Sequence, residues 1–260
     1  MEAVLSIAGS DSSGGAGIQA DIKTIAAHRL FAETALTALT AQNTLGVTGV
    51  LAVEPSFVAA QIDAVFEDIR PVAVKVGMVS SAAIIEAVAD ALKRHGAVNI
   101  VVDPVMVATS GARLIDEDAV RALEECLLPL ADVITPNMPE AEVLCGFTVS
   151  DEESMERAAR QLAARGKGAV LVKGGHRTDR ADDVLVTAEG VTTWLRAPRV
   201  NTENAHGTGC TLSSAIACGL AQGYSMEEAV RCAKDYVRGA LASGLDLGKG
   251  SGPLNHMWEY

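Results

Sequence analysis

Short apolar runs rich in β-branched residues recur along this chain, and stretches with helical spacing lie between them. The runs fall at residues 3–8, 72–76, 99–102, 132–134 and 169–172. The intervening amphipathic stretches cover residues 18–28, 57–69, 82–95, 116–128 and 152–165. Apolar runs this short, without polar alternation, read as strands buried on both faces. Their alternation with helices predicts an α/β fold with a mostly parallel sheet covered on both faces. Sheets of that kind bind ligands beyond the carboxyl ends of their strands.

Two regions depart from the alternation. Residues 32–39 and 47–53 look extended with no helix between them, so they predict a small flap or edge ribbon. Residues 183–187 and 192–195 predict a hairpin around Glu189-Gly190, and two helices, 211–222 and 226–241, close the fold. No Pro- or Ser-rich linker and no internal repeat divides the 260 residues, so one domain over residues 1–260 is expected.

The formal net charge of −12 makes the chain a poor general binder of nucleic acid or anionic membranes. Anionic ligands must therefore be held by local devices such as helix termini, a few cationic side chains or a metal ion. The five cysteines have neither zinc-finger nor thioredoxin spacing. No apolar run is long enough to span a bilayer, and the first residues open directly into a strand without a basic leader. A soluble protein of a reducing cytoplasm is expected.

The loops after the strands carry the chemistry. Asn204-Ala205-His206-Gly207-Thr208-Gly209-Cys210-Thr211 leads into a helix of small residues. A helix start offers unpaired N–H groups and partial positive charge, and Gly207 and Gly209 remove side chains that would keep an anion away. Cys210 sits at the mouth of this cradle, where the helix terminus would favour its thiolate. The plainer reading is a glycine-rich turn that only starts a helix.

The segment Gly9 to Gly17 follows the first strand. It is neither a Walker A loop nor a dinucleotide fingerprint, which disfavours a nicotinamide-dependent dehydrogenase. It reads as a substrate wall, with Asp21 one turn into the next helix and able to face the same crevice. Gln42 ends an extended run and could pair with a heterocycle edge through its amide, or simply terminate a strand. Asp103 ends a strand ahead of the Gly/Ser loop 104–111, which could move as a lid. Asn137 and Glu140 have capping-box spacing, and Glu140 could also help to hold hydrated Mg²⁺. Lys173, beside Gly174 and Gly175, could reach a phosphate as a point charge.

Each motif is weak alone. Together and in this order, AGSDSSGGAGIQAD, TALTAQNT, VGM, DPVMVATSG, TPNMPEAE, VKGGH and NAHGTGCTLSSAIA resemble the hydroxymethylpyrimidine/phosphomethylpyrimidine kinases of thiamine biosynthesis. The resemblance runs from about residue 3 to residue 244. It implies a ribokinase-like three-layer α/β/α sandwich. The implied reaction is ATP-dependent phosphorylation of 4-amino-5-hydroxymethyl-2-methylpyrimidine and then of its monophosphate.

By the same resemblance, Gln42 would bind the aminopyrimidine edge with Asp21 and Gly9 nearby, and Met78 and Val105 would sandwich the ring. Gly207, Gly209 and Cys210 would form the catalytic anion hole. Lys173, His206 and Thr208 would contact ATP. Asp103, Asn137 and Glu140 would organise Mg²⁺, and a homodimer is expected. Thr109 stands where the family's lid usually has a lysine. Many sugar kinases of the superfamily carry an aspartate base where Cys210 stands, and a cysteine there suits an acceptor that is already anionic. A vitamin B6 kinase is the nearest rival reading. It is disfavoured because Ala108, Thr109 and Ser110 replace the lid cysteine of some pyridoxal-active relatives. A non-catalytic precursor-binding regulator is a further alternative.

Overall fold

The computed structural model describes residues 1–106, 117–175 and 180–260. The lid residues Ala108, Thr109 and Ser110, and His176, lie outside them.

Among the described residues a single nine-stranded sheet runs through the molecule. Its strands are β1 (Ala3–Asp11), β2 (Phe31–Asn43), β3 (Gly46–Ala52), β4 (Ala73–Val76), β5 (Ile100–Val102), β6 (Val133–Ile134), β7 (Ala169–Val172), β8 (Asp183–Val186) and β9 (Thr192–Leu195). Their spatial order is β3-β2-β1-β4-β5-β6-β7-β8-β9. The block from β2 to β7 is parallel, while β3, β8 and β9 pair antiparallel at the two margins. One register line crosses the parallel block through Ala35, Ile7, Val76, Val102, Ile134 and Val170. All six side chains belong to one core cluster, because the period of two puts aligned residues on one face.

That cluster lies between the sheet and α2 (Pro55–Glu67), α3 (Ala82–Arg94), α4 (Glu117–Ala122), α5 (Met138–Cys145) and α6 (Glu152–Ala163). The opposite face packs against α1 (Gly17–Ala27), α7 (Thr208–Ala221) and α8 (Met226–Ala242). The result is a three-layer α/β/α sandwich. Helix α7 is buried from Thr211 to Leu220, which explains its small side chains. A Cβ on Gly219 would stand 2.9 Å from the Ala229 Cβ of α8, so the two helices meet almost backbone to backbone.

Local sequence sets the helix starts. Asn137 with Glu140, Asp151 with Ser154, and Ser225 with Glu228 form reciprocal caps at α5, α6 and α8. Two expectations need correction. Residues 32–39 are not a flap but the first part of β2, which pairs in parallel with β1 from Phe31 to Thr40. Only the outer part of β2 runs on with β3 as an edge ribbon. The stretch 116–128 is not one regular helix, since α4 gives way to a π turn at Leu123–Leu127 and a 3-10 turn at Leu128–Leu130. Pro129 supplies no N–H to continue the ladder.

One buried group is poorly accommodated. Glu33 on β2 is buried and, among the described residues, its Oε2 has no hydrogen-bond partner. Burial, reinforced by the charge of Asp68, pushes its carboxyl up to about 7. The folded chain therefore keeps a proton that the unfolded chain releases above the ordinary carboxylate range. The unfolded state binds fewer protons between those two values, so this group lowers stability as pH rises through that window. Glu33→Gln should accordingly raise Tm more at pH 8 than at pH 5. Thermal unfolding of both proteins across that range checks this, and a constant difference between the two curves would refute it.

Candidate active site

The parallel strands deliver polar residues to one end of the sheet. Asp11 closes β1, Met78 follows β4, Asp103 follows β5, Asn137 follows β6 and Lys173 follows β7. From β1 the chain steps outward to β2 and β3, then returns on the other side of β1 as β4. Such a reversal opens a crevice at the strands' carboxyl ends. A cavity of about 800 Å³ lies there, room for a nucleotide and a small acceptor together. Gly9, Gln42, Met78, Asp103, Val105, Asn137, Glu140, Lys173, His206, Gly207, Thr208, Gly209 and Cys210 all line it. Of the site residues expected from the sequence, only Asp21 is missing from the wall.

The N-terminus of α7 forms the centre of the floor. Gly207 is the N-cap, at φ +87°, and a Cβ there would stand only 1.9 Å from the Gly15 carbonyl oxygen. No other residue fits that position. At Gly209 an added Cβ would lie 3.2 Å from Asp103 Oδ2 and 3.5 Å from Lys173 Nζ. The bare backbone of α7 therefore faces the Asp103–Lys173 pair directly. Thr208 turns its hydroxyl back to the Ala205 carbonyl at 2.7 Å, which leaves the helix start lined by backbone.

Cys210 corrects an expectation. Its thiol is not favoured as thiolate. Burial pushes it up to about 11; the charge of Lys75 and a backbone hydrogen bond from Gly17 pull it down, while Asp21 and Asp103 oppose them. The helix terminus does not outweigh desolvation, so Cys210 is a neutral thiol at pH 7.

Asp21 is the second correction. It does not face the crevice. Its Oδ2 accepts from Lys75 Nζ at 2.8 Å and Ser6 Oγ at 2.5 Å, and its Oδ1 accepts from Ser214 Oγ at 2.7 Å. Both charges of the pair are fully buried beneath the floor. Desolvation acts against the Lys75 ammonium, but Asp21 with the nearby Cys210 and Asp103 holds its pKa above the ordinary lysine value. Lys75 had a signal in the sequence, a lone cation inside a β-branched run, and it was overlooked.

His206 is not free to serve a nucleotide. Its Nε2 lies 2.8 Å from Asp11 Oδ2 and 3.3 Å from the Gln42 side-chain nitrogen. Asp11 also collects the backbone N–H groups of Ser13, Gly15 and Ala16. Burial works against its charge, yet the bonds from His206, Ser13 and Ala16 keep its carboxyl well below the usual range. The glycine loop thus folds around an internal carboxylate, a role that sequence reading did not give to Asp11. Gln42 is held in place by its backbone, which exchanges hydrogen bonds with the Ser12 hydroxyl at 2.8 Å, while Thr40 Oγ1 shares its one proton between the Ser10 carbonyl at 2.8 Å and the Gln42 side-chain oxygen at 3.1 Å. An amide has two donors and two acceptor sites, so an edge remains for a ligand. Gly9 is in contact with Met78, since a Cβ on it would stand 2.4 Å from Met78 Cε.

Across the floor, Lys173 Nζ donates to Asp103 Oδ1 at 2.8 Å, and Thr135 Oγ1 donates to the same oxygen at 3.0 Å. Burial pushes the Glu140 carboxyl up to about 7; Lys173 opposes this and Asp103 adds to it. Asn137 Oδ1 accepts from the Glu140 backbone at 2.9 Å and Glu140 Oε2 accepts from the Asn137 backbone at 2.8 Å. The Asn137 amide oxygen is thereby occupied as a cap. At the far end the cavity wall includes Arg199, Lys234 and Arg238, with Lys234 bonded to Asp183.

A family model described as phosphomethylpyrimidine kinase matches residues 11–255. The chain belongs to the phosphomethylpyrimidine kinase family. Within it, the hydroxymethylpyrimidine/phosphomethylpyrimidine kinase of Rhizobium meliloti is 52% identical over 260 residues, covering 98% of this chain and 97% of that protein. The thiamine biosynthesis bifunctional protein ThiED of Geobacter sulfurreducens is 51% identical over 255 residues. That match covers 98% of this chain and 52% of the other, so this chain spans about half of it. Among solved structures, phosphomethylpyrimidine kinase from Clostridium difficile superposes with a TM-score of 0.82 at 44% identity, covering 92% and 98% of the two chains. An ADP complex of Bacillus subtilis pyridoxal kinase superposes with a TM-score of 0.91 at 36% identity, covering 98% and 97%. The sandwich is thus the ribokinase-like fold of a kinase family, with pyridoxal kinases as more distant structural relatives.

The two glycines should respond differently to a methyl group. Gly207→Ala meets backbone at a left-handed position and should cost about 2 kcal/mol or more of stability. Gly209→Ala meets the Asp103 and Lys173 side-chain ends, so it should fold with Tm nearly unchanged. Phosphoryl transfer should nevertheless fall by roughly 10-fold or more, because the methyl group screens the backbone donors. Thermal unfolding beside turnover checks the pair, and full activity in Gly209→Ala would remove this turn from the chemistry.

Proposed function

We propose that this protein transfers the γ-phosphoryl group of ATP to the hydroxymethyl oxygen of 4-amino-5-hydroxymethyl-2-methylpyrimidine, and then a second one to the monophosphate. The observation that carries the reading is the bare backbone of α7 at Gly209, facing Asp103 and Lys173 on the floor of a cavity with room for both substrates. Membership of the phosphomethylpyrimidine kinase family supplies the substrate class.

In this reading the acceptor ring lies between Met78 and Val105, with the aminopyrimidine edge on Gln42 and Gly9 leaving room for the Met78 side chain. The γ-phosphoryl group rests on the N–H groups at the start of α7, with Lys173 on the nucleotide phosphates. Arg199, Lys234 and Arg238 place the remainder of the nucleotide at the far end. The acceptor oxygen attacks phosphorus in line as ADP leaves, the hydroxymethyl proton of the first step passing to water, and the protein contributes mainly positioning and charge stabilisation.

Asp103 and Glu140 fit a hydrated Mg²⁺. Both line the cavity, and the charge of Asp103 adds to the rise of the Glu140 carboxyl, which a divalent cation between them would relieve. Asn137 fits less well, since its amide oxygen already caps α5. Bound there, Mg²⁺ would neutralise phosphate charge. Cys210 serves as an uncharged wall of the anion hole rather than as a resting thiolate. Residues 1–260 act as one domain. A homodimer is part of the reading, supported by the exposed edge strand β3 with its apolar Val50 and Leu51. So is residence in the cytoplasm; among the described residues no helix is long and apolar enough to cross a membrane.

Mass spectrometry of reactions with MgATP should show the mono- and diphosphate from the hydroxymethylpyrimidine. Folded protein that phosphorylates pyridoxal alone would overturn the assignment. Gln42→Leu should lower kcat/KM for the pyrimidine by about 2 kcal/mol, the loss of a paired edge. An unchanged value would leave Gln42 as a turn residue. With a thiol titrating at about 11, kcat for the first step should stay flat from pH 7 to 9. A rise of tenfold per pH unit over that range would instead identify the thiolate as the base. Cys210→Asp should impair the second step more than the first, because a fixed charge would repel the anionic acceptor. Initial rates measured separately on each purified acceptor test this, and an equal loss in both steps would contradict it.

A further inference from the structure

The chain after α8 returns to the turn that opens α7. The Gly252 carbonyl accepts from His206 N at 3.1 Å, and Pro253 pairs with His206 as a short parallel bridge. Leu254 and His256 are buried. His256 Nε2 lies 3.0 Å from Thr211 Oγ1, while the Tyr236 hydroxyl of α8 donates to the His256 carbonyl at 2.6 Å. His206 and Thr211 are the two ends of the segment that contains Gly207, Gly209 and Cys210. One strap therefore grips the anion-binding turn at both ends.

The proton inventory gives the side-chain bond a direction. Burial, with the charge of Lys23, pulls the imidazole of His256 down to about 4, so the ring is neutral; a hydrogen bond to the Leu254 backbone opposes this. A neutral imidazole has one N–H. Spent on Leu254, it leaves Nε2 as an acceptor, and Thr211 must donate to it. The Thr211 hydroxyl also lies 2.9 Å from the Gly207 carbonyl, but that oxygen already accepts from Thr211 N at 2.9 Å. The hydroxyl proton is thus available to His256 without orphaning the N-cap carbonyl.

We propose that this strap is a positioning element of the phosphoryl-transfer site, and that the Thr211–His256 hydrogen bond, together with the His206–Gly252 backbone bond, sets where the first N–H groups of α7 point. It rests on the reading of Gly207 to Cys210 as the phosphoryl cradle. His256 touches no reacting atom and acts only through Thr211. Donors aimed at a transferring phosphoryl group lose much of their effect when displaced by a fraction of an ångström.

The test compares His256→Phe, His256→Gln and Thr211→Val for kcat, KM and Tm, at a temperature where each is fully folded. His256→Phe and Thr211→Val remove the bond with little change in volume. Each should lower kcat roughly tenfold in both phosphorylation steps, with KM for the pyrimidine within about twofold. The double variant should lose no more than either single one, since both remove the same bond. His256→Gln keeps an acceptor and should recover most of the rate. Wild-type kcat in folded His256→Phe with a lowered Tm would reduce the strap to a stability device, and additive losses would also overturn the proposal. If His256→Phe does not fold, Thr211→Val against His256→Gln carries the same comparison. Failure of the substrate assignment is distinct: wild-type protein would then be inactive on the pyrimidine, and the same ratios would be read on whichever acceptor it turns over.

Discussion

The carboxylate of Asp21 joins four elements. It stands on α1, takes a hydroxyl from Ser6 of β1, an ammonium from Lys75 of β4 and a hydroxyl from Ser214 of α7. Nothing in this cluster reaches water. Breaking such a pair strands a buried charge, at about 3–5 kcal/mol, so the four elements are strongly held in one arrangement. That arrangement decides the site. Ser214 lies one turn beyond Cys210 on the same face of α7, so anchoring Ser214 fixes how the start of the helix addresses the gap between β1 and β4. The way the start of α7 faces the cavity is a consequence of a polar knot buried under it.

The knot also bears on charge. A chain of net charge −12 has to hold triphosphate without a basic patch. Its cations in the floor are already paired, Lys75 with Asp21 and Lys173 with Asp103. Beside Arg199, Lys234 and Arg238 in the wall, the start of α7 is aimed at the cavity, and its backbone donors keep their direction and cannot be neutralised by a proton. Fixed dipoles of this kind need no reorganisation when charge moves during transfer. At Asp11 and His206 backbone dipoles are used inward, where the loop amides surround an internal carboxylate and so hold the loop's shape.

Much of this was legible from residue order. The buried runs at 99–102 and 169–172 became β5 and β7 within a residue, because a doubly covered strand must be apolar on both faces. The glycines of the α7 turn were legible because a left-handed N-cap and a bare backbone both demand that residue type. The failures are of another kind. Asp21 was expected in the crevice because helical spacing gives a face, but not what covers it. Asp11 was passed over because its partners are backbone amides, which have no sequence signature. His256 meets Thr211 across 45 residues, and no local pattern records such a meeting. The thiolate at Cys210 failed on magnitude: a helix terminus contributes about 1 kcal/mol or less, and desolvation of a buried sulfur exceeds that.

The neutral sulfur is consistent with the rest of the site under the proposed reading. An alcohol acceptor and a phosphate monoester acceptor differ by about two charges at the point of attack. A carboxylate at the position of Cys210, with no cation of its own, would distinguish them by repulsion. A neutral thiol beside backbone donors imposes no such difference. Recognition has to come from the part the two acceptors share, the pyrimidine ring, and the residues that could read it stand at the other end of the cavity. Gln42 is held there through its backbone by Ser12, and its side-chain nitrogen stands 3.3 Å from His206 Nε2, whose proton goes to Asp11; His206 is braced in turn by that bond and by the Gly252 carbonyl. The same histidine therefore connects the ring-binding end to the anion hole. That shared brace keeps the two ends in register while the group between them changes its charge.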